Sequence, residues 1–331
     1  MIFEPSFGRE VVHIDGKKYD LQGTLGKNSH AQVYLAETEN GEQIVIKRFK
    51  RNHEGGNMFQ KTLESQRHML ANADVISAAG LPRTHFVRDF VQVADFHDGV
   101  DINQASGLVR ISISQIRDLI KAAATNIETL AKANLVHRDI KPENIILTQA
   151  GEFTPQTVKI IDTELLTTTD HTEDTYSIGT PLFIPPESMP MRTARLFTGD
   201  PSVDTRADII GRYHTTSDFY SLGFVAYELL PDALHRVVSP LDASENYDLQ
   251  DLFYAKVHDR FFYPDAMQRM EQHYIPKVQP LNRPGARAVL GTILAMTQAD
   301  PEKRPQSAQE ISDMLEEKGG ILNYYARSLE A

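Results

Sequence analysis

The hydrophobic pattern of this chain changes period near Asp98-Gly99, and that change limits the folds open to it. Before it, apolar and polar residues alternate across residues 19–25, 32–38 and 43–49, with turn residues such as Asn40-Gly41 between them. A period of two marks strands with one buried face, so three antiparallel strands are expected. Met58, Phe59, Leu63, Met69 and Leu70 then recur at helical spacing over 57–73, after the Gly55-Gly56 break, and predict one helix. Residues 81–96 are again strand-like, with room for two tightly joined strands. Beyond the change, Ile116, Leu119, Ile120, Ala123, Ile127 and Leu130 predict a helix over 114–133 capped by Ser114. Short apolar runs follow at 144–147 and 158–161, and helical patterns dominate from Ser217. The expected architecture is α+β with two lobes. Residues 19–97 form a small antiparallel sheet with one helix and 98–318 a larger, mainly helical lobe, flanked by an extension at 1–18 and a tail at 319–331.

With 331 residues the chain can bury a substantial core. It has no cysteine, which excludes disulfides, thiolate zinc sites and a cysteine nucleophile. Its net charge of −11 argues against general affinity for nucleic acid. No run approaches the length of apolar sequence that spans a membrane, and Met1-Ile2-Phe3-Glu4-Pro5 does not begin a secretory signal. A soluble protein is expected, acting in the cytoplasm that made it or delivered into another cell.

Directly after the helix at 114–133 stands His137-Arg138-Asp139-Ile140-Lys141-Pro142-Glu143-Asn144. Phosphoryl transfer to a hydroxyl needs an Asp that orients the hydroxyl and receives its proton. It also needs an Asn five residues on that helps hold a metal beside the phosphates. Asp139 and Asn144 have that spacing, and Lys141 supplies a cation where charge develops during transfer. The octapeptide resembles the catalytic loop of eukaryotic-type Ser/Thr protein kinases.

Other segments carry the same resemblance, in the family's order, over about residues 19–315. Leu25-Gly26-Lys27-Asn28-Ser29-His30-Ala31-Gln32-Val33 resembles the glycine-rich loop: Gly26 and Val33 match, while Asn28 and Ala31 replace two glycines. Ile44-Val45-Ile46-Lys47 is similar to the strand whose Lys pairs with nucleotide phosphates and a helix Glu. Lys47 is then the candidate and Glu64 its partner, with Glu54 as the alternative. Ile160-Ile161-Asp162-Thr163-Glu164 stands where the family has its metal-binding D-F-G, with Thr163 for Phe and Glu164 for Gly. Without the Phe plug, a polar contact between His68 and Thr163 is expected instead. Residues 179–187 resemble the docking loop ending in A-P-E, 217–223 the buried helix that anchors the catalytic loop, and 300–305 the segment whose Arg pairs with the A-P-E Glu. Glu187 and Arg304 are therefore expected to form a structural ion pair. Residues 188–216 and 238–286 fit the pattern poorly and are either partner-binding insertions or solvated loops.

The resemblance implies a bilobal kinase-like fold that transfers the γ-phosphoryl group of ATP, with Mg²⁺, to Ser or Thr of a protein substrate of unknown identity. In that reading Asp139 orients the hydroxyl, Lys141 offsets charge, Asn144 and Asp162 hold the metal, and Lys47, kept in place by Glu64, positions the phosphates. Gly26 belongs to the nucleotide-binding loop, Val33 and Val45 cover the adenine from above and Ile146 from below, and the Asp95-Phe96-His97 linker offers backbone hydrogen bonds to adenine. Thr175 or Ser177 is the candidate acceptor for autophosphorylation within 163–180, with Arg138 as the receiver of that phosphate and Thr180 ordering the catalytic loop. No nucleic-acid partner and no membrane span are expected. Two other readings stay open. One is a pseudokinase or nucleotide-binding scaffold with degenerate phosphate loops. The other is a small-molecule kinase of similar fold, although the recognisable docking loop and its Glu-to-Arg anchor speak against that.

Overall fold

A computed structural model of the chain describes residues 10–27, 31–49, 65, 67–88, 91–108, 111–169, 180, 183–185, 216–234, 285–298 and 301–318. The first lobe is a six-stranded antiparallel sheet of β1 (Glu10–Ile14), β2 (Lys17–Lys27), β3 (Ala31–Thr38), β4 (Gln43–Phe49), β5 (Thr84–Arg88) and β6 (Val91–Asp95). Its order is β1-β2-β3-β4-β6-β5. The expected strands are all present. β1, however, lies within the stretch expected as an extension, where Asp15-Gly16 turns it back onto β2 with both residues in the left-handed region.

Register decides what each face of the sheet carries. Tyr34 stands opposite Ile46 and Ala36 opposite Ile44, and Ala36, Ile44 and Ile46 join Tyr19 and Val93 in one apolar cluster. Burying an Ile side chain contributes roughly 1.5–3 kcal/mol, so this face specifies the register. The alternate positions pair Val33 with Lys47, Leu35 with Val45 and Gly26 with Val33. That second face therefore brings together the residues read as nucleotide-facing. Residue 65 and residues 67–71 are helical, followed by α1 (Ala73–Ala78).

The chain passes to the second lobe through Gly99, where a Cβ would lie 2.3 Å from the Leu147 carbonyl oxygen, so only glycine allows the crossing. There follow β7 (Val100–Asp101), α2 (Ile102–Leu108) and α3 (Ile113–Lys132). α3 buries Ile116, Leu119, Ile120, Ala123, Ile127 and Leu130, the stripe read from its periodicity. Its cap is Ser112 and not Ser114. Ser112 is extended, its hydroxyl accepts from the Gln115 N–H, and the Gln115 side chain accepts from the Ser112 N–H. This reciprocal pair satisfies two orphan donors, which Ser114, already inside the first turn, cannot do.

β8 (Leu135–Val136) and β9 (Ile145–Leu147) bracket the octapeptide. β9 pairs with both β7 and β10 (Val158–Ile160), and β8 pairs with β11 (Thr167–Thr168). Those pairings carry Asp162, two residues past β10, alongside Asn144, and the Ile161 N–H donates to the Asn144 carbonyl at 2.8 Å. α4 (Ser217–Leu234), α5 (Ala286–Met296) and α6 (Ala308–Leu315) pack around α3. Among the described residues, no helix is long and apolar enough to cross a membrane.

Candidate active site

The catalytic loop is hung from a buried carboxylate on α4. Asp218 accepts the backbone N–H of His137 at 2.6 Å and of Arg138 at 2.9 Å. Burial pushes the Asp218 carboxyl up from its ordinary range, against the pull of His137 and Arg138. Arg138 has a φ of 69°, a left-handed conformation that costs a non-glycine residue about 1–3 kcal/mol. The Asp218 hydrogen bonds and a bond from Arg138 Nε to the Leu165 carbonyl hold it there.

Asp139, only 8% exposed, is the hub that follows. Its Oδ1 accepts the Thr180 N–H at 3.1 Å and the Thr180 hydroxyl at 2.8 Å. Its Oδ2 accepts Lys141 Nζ at 2.6 Å and Asn144 Nδ2 at 3.0 Å. Asn144 Nδ2 also donates to the Asp139 carbonyl at 2.8 Å, so the amide nitrogen of Asn144 is committed inward. The side-chain oxygen is what remains as a ligand atom. Lys141 Nζ lies 3.2 Å from the Thr180 hydroxyl. Asp139, Lys141 and Asn144 are thus brought together, with Thr180 closing the other side of the carboxylate.

Lys47 meets this group through the altered D-T-E segment. Its Nζ lies 2.6 Å from Asp162 Oδ1 and 3.1 Å from Glu164 Oε1. Burial disfavours the Lys47 ammonium, but the two carboxylates more than offset it and hold its pKa above the ordinary lysine range. Burial likewise disfavours the Asp162 carboxylate, yet Lys47 beside it draws its pKa below the usual value. Asp162 has a φ of 67°, and the short 3₁₀ turn Thr163–Leu165 follows it. Thr163 is buried between them. Its carbonyl accepts from the Ser65 hydroxyl at 3.0 Å, and its own hydroxyl points to the Met69 sulfur. The expected partner His68 is therefore not the one used, because Met69 takes the Thr163 hydroxyl and Ser65, four residues earlier on the same helical face, bonds its carbonyl. Glu64 and Glu54 lie outside the described residues.

The remaining expectations divide similarly. Val33 and Val45 share the Lys47 face of the sheet, Gly26 stands across from Val33, and Ile146 is buried on β9. Asn28 is outside the described residues, and Ala31 is fully buried at the start of β3. The Asp95 N–H is committed to the Arg83 carbonyl at 3.0 Å, and its carboxylate to the Arg83 N–H and the His85 ring, so Asp95 has no backbone donor to offer. His97 follows in the linker. Burial, followed by Lys159 nearby, pushes its imidazole below the ordinary range. Arg304, 1% exposed, donates to the Gln298 and Thr216 carbonyls and lies over the Tyr220 ring at 4.7 Å. Its expected partner Glu187 is outside the described residues, as are Thr175, Ser177 and the stretches 191–215 and 238–284.

Residues 19–315 match the family described as protein kinase domain. The chain belongs to that family. It is 26% identical over 239 residues to serine/threonine-protein kinase Pkn1 of Myxococcus xanthus, covering 68% of this chain and 30% of that protein. It is 25% identical over 245 residues to the probable serine/threonine-protein kinase fhkD of Dictyostelium discoideum, covering 71% of this chain and 30% of that protein. It is 26% identical over 231 residues to calcium-dependent protein kinase 4 of Plasmodium berghei, covering 68% of this chain and 38% of that protein. The match thus spans about a third of the length of these curated relatives. Within the kinase domain, the sequence reading missed Glu164 as a partner of Lys47 and Ser65 with Met69 as the seat of Thr163. The signals were present: a carboxylate where the family has glycine, and two helix positions four apart.

Proposed function

We propose that the chain is an ATP- and Mg²⁺-dependent protein kinase that phosphorylates Ser or Thr hydroxyls of protein substrates. The observation that carries this reading is the Asp139 carboxylate, held by Lys141, Asn144 and Thr180 in the same site as the Lys47–Asp162 pair. Asp139 orients the incoming hydroxyl and takes its proton as the oxygen–phosphorus bond forms and the bond to the ADP oxygen breaks. Lys141, 2.6 Å from that carboxylate, offsets the charge that spreads over the transferred group. Lys47 has three N–H donors, two of them taken by Asp162 and Glu164, and the third is available to phosphate oxygens. Val33, Val45 and Ile146 exclude water around the base.

Asp162 and the side-chain oxygen of Asn144 suit Mg²⁺, which prefers hard oxygen ligands and keeps several waters and substrate phosphates. When bound, Mg²⁺ neutralises phosphate charge and orients the leaving oxygens. The names of the relatives support a Ser/Thr acceptor.

The altered phosphate-side segment favours one other reading, a nucleotide-binding scaffold in which two carboxylates hold Lys47 too firmly for transfer. Incubation with labelled ATP and Mg²⁺, alone and with generic basic proteins, separates the two. Transfer by the parent chain that disappears in Asp139→Asn supports the kinase. ATP-dependent thermal stabilisation without transfer supports the scaffold.

A further inference from the structure

Three buried donors converge on one sulfur beside the nucleotide face of the sheet. The Thr163 hydroxyl points to Met69 Sδ, the Gln92 amide nitrogen lies 3.4 Å from it, and the Thr84 hydroxyl 3.8 Å. Gln92 Nε2 also donates to the Thr84 hydroxyl at 3.2 Å. Each of these side chains is 4% exposed or less. Register explains how they meet. Gln92 on β6 stands opposite Lys47, and Thr84 on β5 stands opposite Ala94, itself opposite Val45, so both polar groups share the Lys47 face. Met69 reaches them from the helical face that also carries Ser65. Leucine would fill the volume of a buried methionine at small cost, but it accepts no hydrogen bond. Buried hydroxyl and amide donors make the acceptor matter here.

The path leads to Asp162. Met69 orients the Thr163 side chain and Ser65 its carbonyl, so the residue directly after Asp162 is fixed at both ends. Hydrogen bonds are directional, and two of them on one residue also set the peptide that joins it to the left-handed Asp162. We infer that Met69 is a positioning residue: its sulfur, held by Gln92 and Thr84 of the sheet, seats Thr163 and so aims the Asp162 carboxylate at the metal that accompanies the nucleotide. This rests on the metal- and nucleotide-binding part of the reading above.

The test measures how far Mg²⁺ strengthens ATP binding, by titrating a fluorescent ATP analogue with Mg²⁺ and again with EDTA. Asp162→Asn is the reference that loses this enhancement. Met69→Leu and Thr163→Val are each expected to shrink it by about tenfold while affinity in EDTA stays within about twofold of the parent. Gln92→Leu should act in the same direction with a smaller effect. The double variant Met69→Leu/Thr163→Val should be no worse than Met69→Leu alone, because both act on one path. A double-mutant cycle on the urea midpoint gives a readout without nucleotide or metal. Met69→Leu should lower the midpoint of the parent more than that of Thr163→Val, in which no buried hydroxyl is left waiting for the sulfur. Thr163→Val keeps the volume of threonine and carries the test if Met69→Leu does not fold. The inference is overturned if the variants weaken ATP equally with and without Mg²⁺, which is the mark of a merely structural role. It is also overturned if they keep the full enhancement, or if Met69 and Thr163 do not couple. Binding with the expected pattern but no phosphoryl transfer would overturn the kinase reading and leave this one standing. Transfer by a parent whose variants lack the pattern would do the reverse, and a parent chain that binds no ATP would overturn both.

Discussion

The catalytic loop and the D-T-E segment lie beside each other, yet they are held in opposite ways. Residues 137–144 keep the family pattern, and what fixes them is backbone: the His137 and Arg138 N–H groups bound by buried Asp218, and the strands β8 and β9 on either side. In residues 162–164 the Asp is kept and the next two positions depart from the pattern, and side chains reach in to fix the segment: Lys47 on two carboxylates, Ser65 and Met69 on Thr163. Backbone amides bound to a buried carboxylate allow few substitutes, because a lost acceptor leaves two donors unpaired. An ion pair needs only opposite charge within reach, and any nearby element can supply it. The nucleotide side therefore admits the Thr163 and Glu164 replacements, while the loop at 137–144 is held by contacts with few substitutes.

The largest effect expected on this comparison is at its fixed end. Asp139→Asn should cut phosphoryl transfer by about 10²–10⁴-fold with little change in ATP binding, measured with labelled ATP beside a thermal shift. A variant that keeps most of its activity would show that the hub is structural. Asp218→Ala should cost about 2–4 kcal/mol in urea unfolding and release the strained Arg138 backbone, with activity lost in the same variant. Unchanged stability there would remove the claim that the loop hangs from α4.

At the permissive end, restoring the family residue should harm this chain. Thr163→Phe places a ring where a buried threonine fits between Ser65 and Met69, and overpacking should destabilise it by about 1–3 kcal/mol by chemical denaturation. A stabilised variant would mean that the pocket already has room for the plug.

The smallest effect concerns a charge beside the fixed loop. Glu228 on α4 has its carboxyl pushed up to about 7, first by burial and then by Glu143 of the octapeptide. Because the folded value lies above the ordinary 4.5, the native chain takes up a proton there that the unfolded chain does not. This contribution is fully present below the ordinary value and is lost as pH rises through about 7. Glu228→Gln should thus melt roughly 2 °C higher than the parent at pH 8 and about equally at pH 5. An equal gain at both pH values would assign the effect to packing instead.

Local pattern was legible wherever one element decides its own fate. The alternation of β2 to β6, the buried stripe of α3 and the spacing of Asp139, Lys141 and Asn144 were all readable because each depends on residues a few positions apart. Ser112 was missed as the cap because Ser114 also fits a capping pattern, and only the reciprocal bond with Gln115 distinguishes them. β1 was missed because five residues of ordinary polarity show their role only once β2 is beside them.

By itself the sequence determined the two-lobed order, the strands β2 to β6 and the spacing of Asp139, Lys141 and Asn144, since hydrophobic period and motif spacing act locally. Only the tertiary structure decided which charges meet Lys47 and what seats Thr163. Lys47 is separated from Asp162 by 115 positions and from Glu164 by 117, and no spacing along a chain ranks one distant carboxylate above another. That choice is made by chain direction after β10, by the left-handed turn at Asp162, and by the burial of Lys47, whose ammonium needs carboxylates beside it to stay charged.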